Sequence, residues 1–170
     1  MLTNFNLMDI AKHYKIDLID VVMKDELPPK VINGNYILNL QSTRDDAGNL
    51  NGGTHWTCLI VKGKQAFFFD PFGAYPSAEI QDYVKKRKGC KFAFNNKIIQ
   101  DLKSENCGYF CISLLLYYKQ HKGTFFDLAE KYTELFDDNT KLNDNILKQI
   151  FVKYSSRPYL QLIRRLLNQK

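Results

Sequence analysis

The sequence lacks the features that mark a membrane-spanning, exported or metal-stapled chain. Its longest apolar run, residues 109–118 with Ser113 as the only interruption, is far shorter than the roughly 20 residues that cross a bilayer. The first residues do not form the basic and then apolar pattern of a signal peptide. The cysteines form no CxxC pair, and internal repeats and low-complexity segments are absent. We therefore expect a soluble, unexported chain with reduced thiols and no metal site.

The composition is that of one globular domain with an excess of basic residues. The chain has 170 residues, of which 45% are hydrophobic and 25% charged, so we expect a single domain spanning residues 1–170. The formal net charge of +6 favours anionic partners. A basic patch concentrates this charge in five residues, Lys85, Lys86, Arg87, Lys88 and Lys91. Two interpretations of the basic patch stay open, a solvated surface turn, which is the commoner role of such runs, and a binding surface for an anionic partner.

Hydrophobic periodicity predicts a chain that contains both helices and strands. Helical patterns occupy residues 6–14, 77–88, 125–136, 142–154 and 158–168, and strand patterns occupy residues 35–40, 54–61, 65–69, 91–95 and 97–100. Residues 16–23 form a further apolar stretch. The segment that starts at Cys107 is apolar on almost every side, so it should form a helix inside the core.

A β-hairpin is predicted where two strand patterns flank a glycine. If Lys62 and Gly63 are the two loop residues, counting outward places His55 opposite Asp70. Side chains alternate across a strand, so these two should share a face while Trp56 points to the other side. A three-residue loop would shift this pairing.

Cys107 is the candidate nucleophile. A thiol attacks a carbonyl as the thiolate, which a neighbouring histidine and a helix N-terminus both favour. Cys107 stands where a polar run ends and the apolar helix begins, so the unpaired N–H groups of the first turn should face it. Gly108 would let a substrate backbone approach closely. Cys111, one turn later, is better explained as a core residue.

Three further side chains complete a candidate catalytic constellation. His55 can take the thiol proton near neutral pH and return it to the leaving amine. Asp70 would orient the imidazole and stabilise its charged form. Gln100 lies a short loop before the nucleophile, from where its amide could join the Cys107 N–H at the oxyanion. Trp56 is interpreted as a wall of the substrate channel, and Gly53 beside it as a substrate-binding residue.

Each of these residues also has a purely structural interpretation. A histidine in a strand is often a satisfied core residue, an aspartate before proline often closes a turn, a glutamine is usually on the surface, and Trp56 could be core. The other two histidines, His13 and His121, sit in helical patterns where a solvated or dipole-compensating role suffices.

The order of the motifs and their residue sequences favour the catalytic interpretation. They are GGTHW at residues 52–56, FDPFG at residues 69–73, Gln100, and CGYFC at residues 107–111. Together they resemble the adenovirus maturation protease (adenain-like) family and its relatives in virophages and Maverick-type transposable elements. The short chain makes the virophage enzymes the nearest. The resemblance covers residues 52–73 and 100–118 and is thin elsewhere.

The resemblance implies a fold, a substrate and a location. The implied fold is papain-like and adenain-like α+β, in which a central helix carrying the nucleophile packs against a mostly antiparallel sheet. The implied activity is a cysteine endopeptidase that cleaves viral capsid precursors at Gly-containing sites during virion maturation. It would then act in the virion and in the host cytoplasm. We expect a monomer with no membrane partner.

The chain departs from the adenoviral pattern in ways that concern its activation. Asp70 stands where the adenoviral enzyme has glutamate, so the geometry of the acid needs testing. That enzyme is activated by a disulfide-linked peptide and by DNA. Cys90 lies in a region comparable to the peptide-linked cysteine, and the basic patch is the corresponding candidate for DNA. No cofactor is otherwise implied, and both activators are hypotheses.

Three other functions stay open. The same chemistry could serve an isopeptidase that removes ubiquitin-like or SUMO-like modifiers. Some bacterial effectors with a similar His, acid and Cys arrangement are acetyltransferases. A non-catalytic nucleic-acid-binding module would use the net charge alone, but it leaves the ordered series His55, Asp70, Gln100 and Cys107 unexplained.

Overall fold

The fold consists of one mixed sheet with helices on both faces. A computed structural model describes residues 1–152 of the chain. Its elements in chain order are α1 (Asn4–His13), β1 (Asp20–Met23), β2 (Gly34–Asn39), β3 (Trp56–Lys62), β4 (Gln65–Phe69), α2 (Ala78–Lys85), β5 (Lys91–Phe94), α3 (Cys107–Gln120), α4 (Phe125–Glu134) and α5 (Thr140–Val152). The α+β class is therefore confirmed.

The sheet has the strand order β1-β2-β3-β4-β5. Its three central strands are antiparallel, as expected, whereas each edge strand is parallel to its neighbour. The sheet is thus evenly mixed rather than mostly antiparallel. A parallel neighbour requires a crossover, and α2 supplies the one between β4 and β5.

The predicted β3–β4 hairpin forms, but its loop is displaced by one residue. Lys62 pairs with Gln65, so the loop is Gly63 and Lys64, and the prediction of Lys62 and Gly63 is wrong. Gly63 accepts the positive φ of 57° at the first loop position. Each strand residue now faces a partner two positions further along than predicted. A shift of two leaves every side chain on its predicted face.

Alternation along β3 separates two hydrophobic layers. Trp56, Cys58 and Ile60 point to the face covered by α1, α3, α4 and α5. Leu59 and Val61 point to the opposite face, which α2 covers. This period of two assigns the nucleophile-bearing helix and the basic end of α2 to different faces of the sheet.

Helix α3 is the central helix, because it contacts the sheet on one side and α5 on the other. Most of its residues are buried, namely Cys107, Gly108, Phe110, Cys111, Ile112, Ser113, Leu114, Leu115 and Leu116. The buried Ser113 hydroxyl is paired with the Tyr132 hydroxyl at 2.6 Å. The expectation that this segment is a core helix is confirmed.

Two predicted elements differ from the structure, and a third lies outside the described residues. Residues 97–100 form no strand, because Ile99 and Gln100 donate their backbone N–H groups to the Pro71 carbonyl. The apolar stretch at residues 16–23 becomes a strand only at its end, as β1. The helix predicted at residues 158–168 lies outside the described residues. Within residues 1–152, no helix combines the length and apolarity needed to span a bilayer.

Candidate active site

Cys107 occupies the first position of α3, as the sequence predicted. Its side chain is only 2% exposed, and its Sγ accepts a hydrogen bond from the Trp56 backbone N–H at 3.4 Å. In the described part of the chain, the backbone N–H groups of Cys107 and Gly108 have no hydrogen-bond partner. Two donors and the positive end of the helix therefore lie beside the sulfur.

His55 and Asp70 are in direct contact at the ends of β3 and β4. The His55 Nε2 lies 2.8 Å from an Asp70 carboxylate oxygen, and Asp70 is 1% exposed. The Phe72 ring stacks on the imidazole with centroids 4.5 Å apart and planes 12° from parallel. Because Nε2 is engaged by Asp70, Nδ1 is the nitrogen left to face the thiol of Cys107.

The surrounding backbone fixes the Asp70 carboxylate. The same oxygen that contacts His55 accepts the Phe72 backbone N–H at 2.7 Å. The Asn95 amide bonds both the backbone N–H and the backbone carbonyl of Asp70, at 2.9 and 2.7 Å. The shorter arm of aspartate, where the resembled family has glutamate, therefore still reaches the imidazole.

The charge state of His55 is set by its two partners. Burial by itself lowers the pKa of His55, but hydrogen bonds to Asp70 and Cys107, together with their negative charges, raise it to about 9. The imidazolium is therefore the stable form at neutral pH. A protonated imidazole beside a sulfur is the partner that a thiolate requires.

Gln100 lies close to this group but uses its amide elsewhere. It is fully buried, and its Nε2 donates to the Ser104 carbonyl and hydroxyl at 3.0 Å each. Its Oε1 has no partner among the described residues. A free amide oxygen cannot donate to an oxyanion, so that role would require the Gln100 amide to leave Ser104. The role stays a prediction.

The three predicted substrate-binding residues occupy different surroundings. Gly53 and Trp56 line a cavity of about 490 Å³. The Trp56 indole N–H donates to the Leu2 carbonyl at 2.9 Å. Gly108 instead faces the N-terminal segment, where a Cβ would lie 2.9 Å from the Leu7 side chain. Close packing within the chain therefore explains Gly108 without a substrate.

Position 53 requires glycine because of its backbone conformation and because the Asn39 side chain packs closely against it. Its φ is +78°, and a Cβ would stand 2.5 Å from the Asn39 side-chain nitrogen. The Asn39 oxygen accepts the backbone N–H groups of Gln41 and Thr54, at 3.1 and 3.3 Å. This arrangement ties the end of β2 to the loop that leads into His55.

The other cysteines are poor nucleophile candidates. Cys58 and Cys111 are fully buried, and burial raises the pKa of both thiols. Cys90 is partly exposed, and burial also raises the pKa of its thiol. All four cysteines are free. A peptide linkage at Cys90 stays a prediction.

The basic patch lies at the C-terminal end of α2 and the start of β5, on the sheet side away from α3. The Arg87 guanidinium bonds the Val31 and Gly63 carbonyls and the Asn33 side chain, so it serves the fold. Lys85 pairs with Asp82 at 3.5 Å, and Lys86 lies over the Tyr83 ring. Two other members of the patch are Lys88 and Lys91. DNA binding stays a prediction.

Sequence reasoning missed a polar cluster that supports the loop before Cys107. Asp144 on α5 is 5% exposed and accepts hydrogen bonds from the Asp101 backbone N–H, the Ser104 hydroxyl and the Asn106 side chain. No local pattern signals this role, because 38 to 43 residues separate the partners. Across residues 1–152, no group of His, Cys, Asp or Glu side chains is placed to hold a metal ion.

Neither a protein-family model nor a curated protein sequence matches the chain. Among solved structures, ASFV pS273R protease is similar at 15% identity and a TM-score of 0.42, over 81% of this chain and 67% of that one. The central domain of the Lpg1148 protein from Legionella pneumophila is similar at 14% identity and a TM-score of 0.43, over 89% and 88%. Likeness at this level assigns no activity, which must be argued from the site.

Proposed function

We propose that the chain is a cysteine endopeptidase with Cys107 as nucleophile, His55 as general acid and base, and Asp70 as the group that orients His55. The observation that carries this proposal is the 2.8 Å contact between Asp70 and His55, beside a Cys107 thiol that contributes to the raised pKa of His55 and that stands at a helix N-terminus with two unpaired N–H groups. A structural role for His55 would not require a buried carboxylate on one ring nitrogen and a thiol near the other.

The reaction follows from these contacts. The Cys107 sulfur attacks the carbonyl carbon of the scissile peptide bond, and the negative charge moves to the carbonyl oxygen. The unpaired N–H groups of Cys107 and Gly108 are positioned to stabilise that oxyanion. His55 then gives its proton to the departing amine, which leaves a thioester. Neutral His55 takes a proton from water, whose oxygen attacks the thioester and releases the acid and the thiol.

Intact mass after treatment with a Gly-Gly vinyl electrophile tests the proposal. The wild type should gain one adduct, because the electrophile occupies a Gly-containing cleavage site and traps an active thiolate. Cys107→Ala should gain none. Cys90→Ala is the matched control, since it removes the most exposed of the other three thiols, and it should label like the wild type.

Three outcomes would reject the proposal. Adduct formation on Cys107→Ala, or on Cys90 of the wild type, would show that another thiol is reactive. An acetyl-enzyme formed from acetyl-CoA, without peptide cleavage, would assign the constellation to acetyl transfer. Salt-sensitive DNA binding that survives Cys107→Ala, with no thiol chemistry, would leave a nucleic-acid-binding module.

We further propose that the substrates are viral capsid precursors cleaved at Gly-containing sites, in the virion and in the host cytoplasm. The motif resemblance around residues 52–73 and 100–118 supports this assignment. Competing cleavage of capsid precursors and of ubiquitin-like conjugates, read by mass spectrometry of the products, tests it. Faster cleavage of the conjugates would identify an isopeptidase instead. Addition of DNA at low salt tests activation, and an unchanged rate would exclude it.

A further inference from the structure

The thiol proposed as the nucleophile is closed to solvent in this structure. Cys107 is 2% exposed, so a peptide carbonyl cannot reach its sulfur until a covering segment moves. Two cavities of about 490 Å³ each lie nearby, one beside Trp56 and the other beside Asn106 and Tyr109. Among residues 1–152, neither Cys107 nor His55 lines these two cavities. The segment between the cavities is therefore the candidate for the movement.

This segment is residues 1–3, which we call the N-terminal strap. Its first two residues line both cavities. The Leu2 carbonyl accepts the Trp56 indole N–H at 2.9 Å, and the Leu2 side chain packs against Gly108, where a Cβ would lie 3.1 Å from its Cδ1. Trp56 also donates its backbone N–H to the Cys107 sulfur. Because Gly108 directly follows Cys107, the strap joins two residues that adjoin the nucleophile.

The strap is held firmly at one end and weakly at the other. Thr3 is the N-cap residue of α1, and its capping box with Asn6 fixes it to that helix. Met1 is 50% exposed, and its ammonium contacts the exposed Glu105 carboxylate at 2.5 Å, a pair that solvent weakens. Leu2 is half-buried. A rotation of the strap about Thr3 would break this ion pair, one hydrogen bond and the partial burial of one leucine.

We propose that the N-terminal strap is an autoinhibitory gate, which a substrate peptide displaces by offering its own carbonyl to the Trp56 indole N–H. The Leu2 carbonyl stands in for the substrate carbonyl in the closed form. The proposal rests on the proposed peptidase function and adds a step before it. Because only the open form binds peptide, the closed form raises the apparent KM and leaves kcat unchanged.

Leu2→Gln tests the gate, because it replaces an apolar side chain by a polar one of similar length that favours water over Gly108. The open fraction should rise about fivefold, the equivalent of roughly half the burial free energy of a leucine. The KM for a fluorogenic peptide that ends in Gly-Gly should fall by the same factor, with kcat within about twofold. Leu2→Met keeps the apolar contact and should behave like the wild type.

Alkylation of Cys107 by iodoacetamide, read by peptide mapping, measures opening without turnover. In Leu2→Gln its rate should rise by the factor by which KM falls, since both report the open fraction. Cys90 packs on the opposite face of the sheet and is the reference thiol in the same sample. Ile10→Ala is the matched control, because it removes a buried side chain of α1 that lines neither cavity. It should lower stability and leave both readouts unchanged.

Trp56→Phe tests whether strap and substrate share the indole donor. It removes the N–H and keeps an aromatic ring, so the strap loses its hydrogen bond and alkylation of Cys107 should rise about fivefold. The KM should not fall with it, because the substrate loses the same donor. A fall in KM that matches the rise in alkylation would overturn the shared-donor part of the proposal.

The failure of the gate and the failure of the proposed function are distinguishable. Equal or slower alkylation of Cys107 in Leu2→Gln, with no fall in KM, would overturn the gate and leave the strap as a structural cover of α3. If neither the wild type nor Leu2→Gln reacts with the Gly-Gly vinyl electrophile, the proposed function itself is overturned.

Discussion

Replacement of Asp70 by asparagine is the sharpest test of the site, because it removes one charge and almost no volume. The backbone bonds between Asp70 and Asn95 do not involve the Asp70 side chain, so the loop should survive. The His55 imidazolium loses its carboxylate partner at 2.8 Å. Burial lowers the pKa of His55, and without the Asp70 charge less remains to raise it, so the pKa of His55 should fall.

The magnitude follows from the pKa of His55. Its rise from 6.5 to about 9 corresponds to about 3 kcal/mol of preference for the imidazolium in the folded protein. Asp70 and Cys107 share this effect. Loss of the Asp70 charge should lower the pKa of His55 by roughly 1 to 2 pH units, the range typical of a close opposite charge.

The assay is an NMR titration of the imidazole C–H signals. The chain has three histidines, so His13 and His121 provide internal references in the same spectrum. Asp82→Asn is the matched control, because Asp82 is an exposed carboxylate paired with Lys85 on α2. It should leave the titration of His55 unchanged.

The pH dependence of the unfolding free energy should report the same shift in the pKa of His55. Because the folded pKa of His55 is above the unfolded value of 6.5, its contribution is complete below pH 6.5 and is lost as the pH rises through about 9. The difference in unfolding free energy between the wild type and Asp70→Asn should therefore shrink between pH 6 and pH 10. Chemical denaturation at the two pH values measures it.

Unchanged titration of His55 in Asp70→Asn would refute this reasoning. It would mean that the hydrogen bond at 2.8 Å does not control the charge of His55. The thiolate would then depend on the helix N-terminus alone, and Asp70 would be a turn residue, as its position before proline also allows.

Two further predictions concern stability. Gly73→Ala should lower the free energy of unfolding by about 1–3 kcal/mol, because φ is +66° and a Cβ would lie 2.9 Å from the Asn96 backbone. Gly63→Ala, with φ +57° and open space, should cost less in the same denaturation assay, and an equal cost would contradict the steric argument. Tyr132→Phe should cost about 1–3 kcal/mol, since it leaves the buried Ser113 hydroxyl without its partner at 2.6 Å. Thermal unfolding within the error of the wild type would show that Ser113 finds another acceptor.

The parts of the site that were predictable follow from local rules. Strand periodicity of two places His55 and Asp70 on one face, and this survives the error in the loop because the shift is an even number of residues. The apolar pattern after Cys107 predicts a core helix that starts at the nucleophile. Local rules could not select Gly63 and Lys64 as the loop, because both choices contain a glycine.

The remaining parts depend on contacts between distant segments. Sequence spacing predicted that Gln100 lies near the nucleophile. Its amide donates to Ser104 instead, and the loop that carries Ser104 is held by a hydrogen bond to Asp144 on α5. The apolar stretch before Met23 contains a strand because its end pairs in parallel with β2, which no local pattern reveals.

The sequence by itself determined the reactive groups, their order along the chain and the face of the hairpin that carries His55 and Asp70, since periodicity and helix ends are local properties. Only the tertiary structure decided what supports the loop before Cys107. That support depends on α5 bringing the buried Asp144 carboxylate against residues 101–106, where it accepts the Asp101 backbone N–H and the Asn106 side-chain amide, and 38 to 43 residues separate these partners in the sequence.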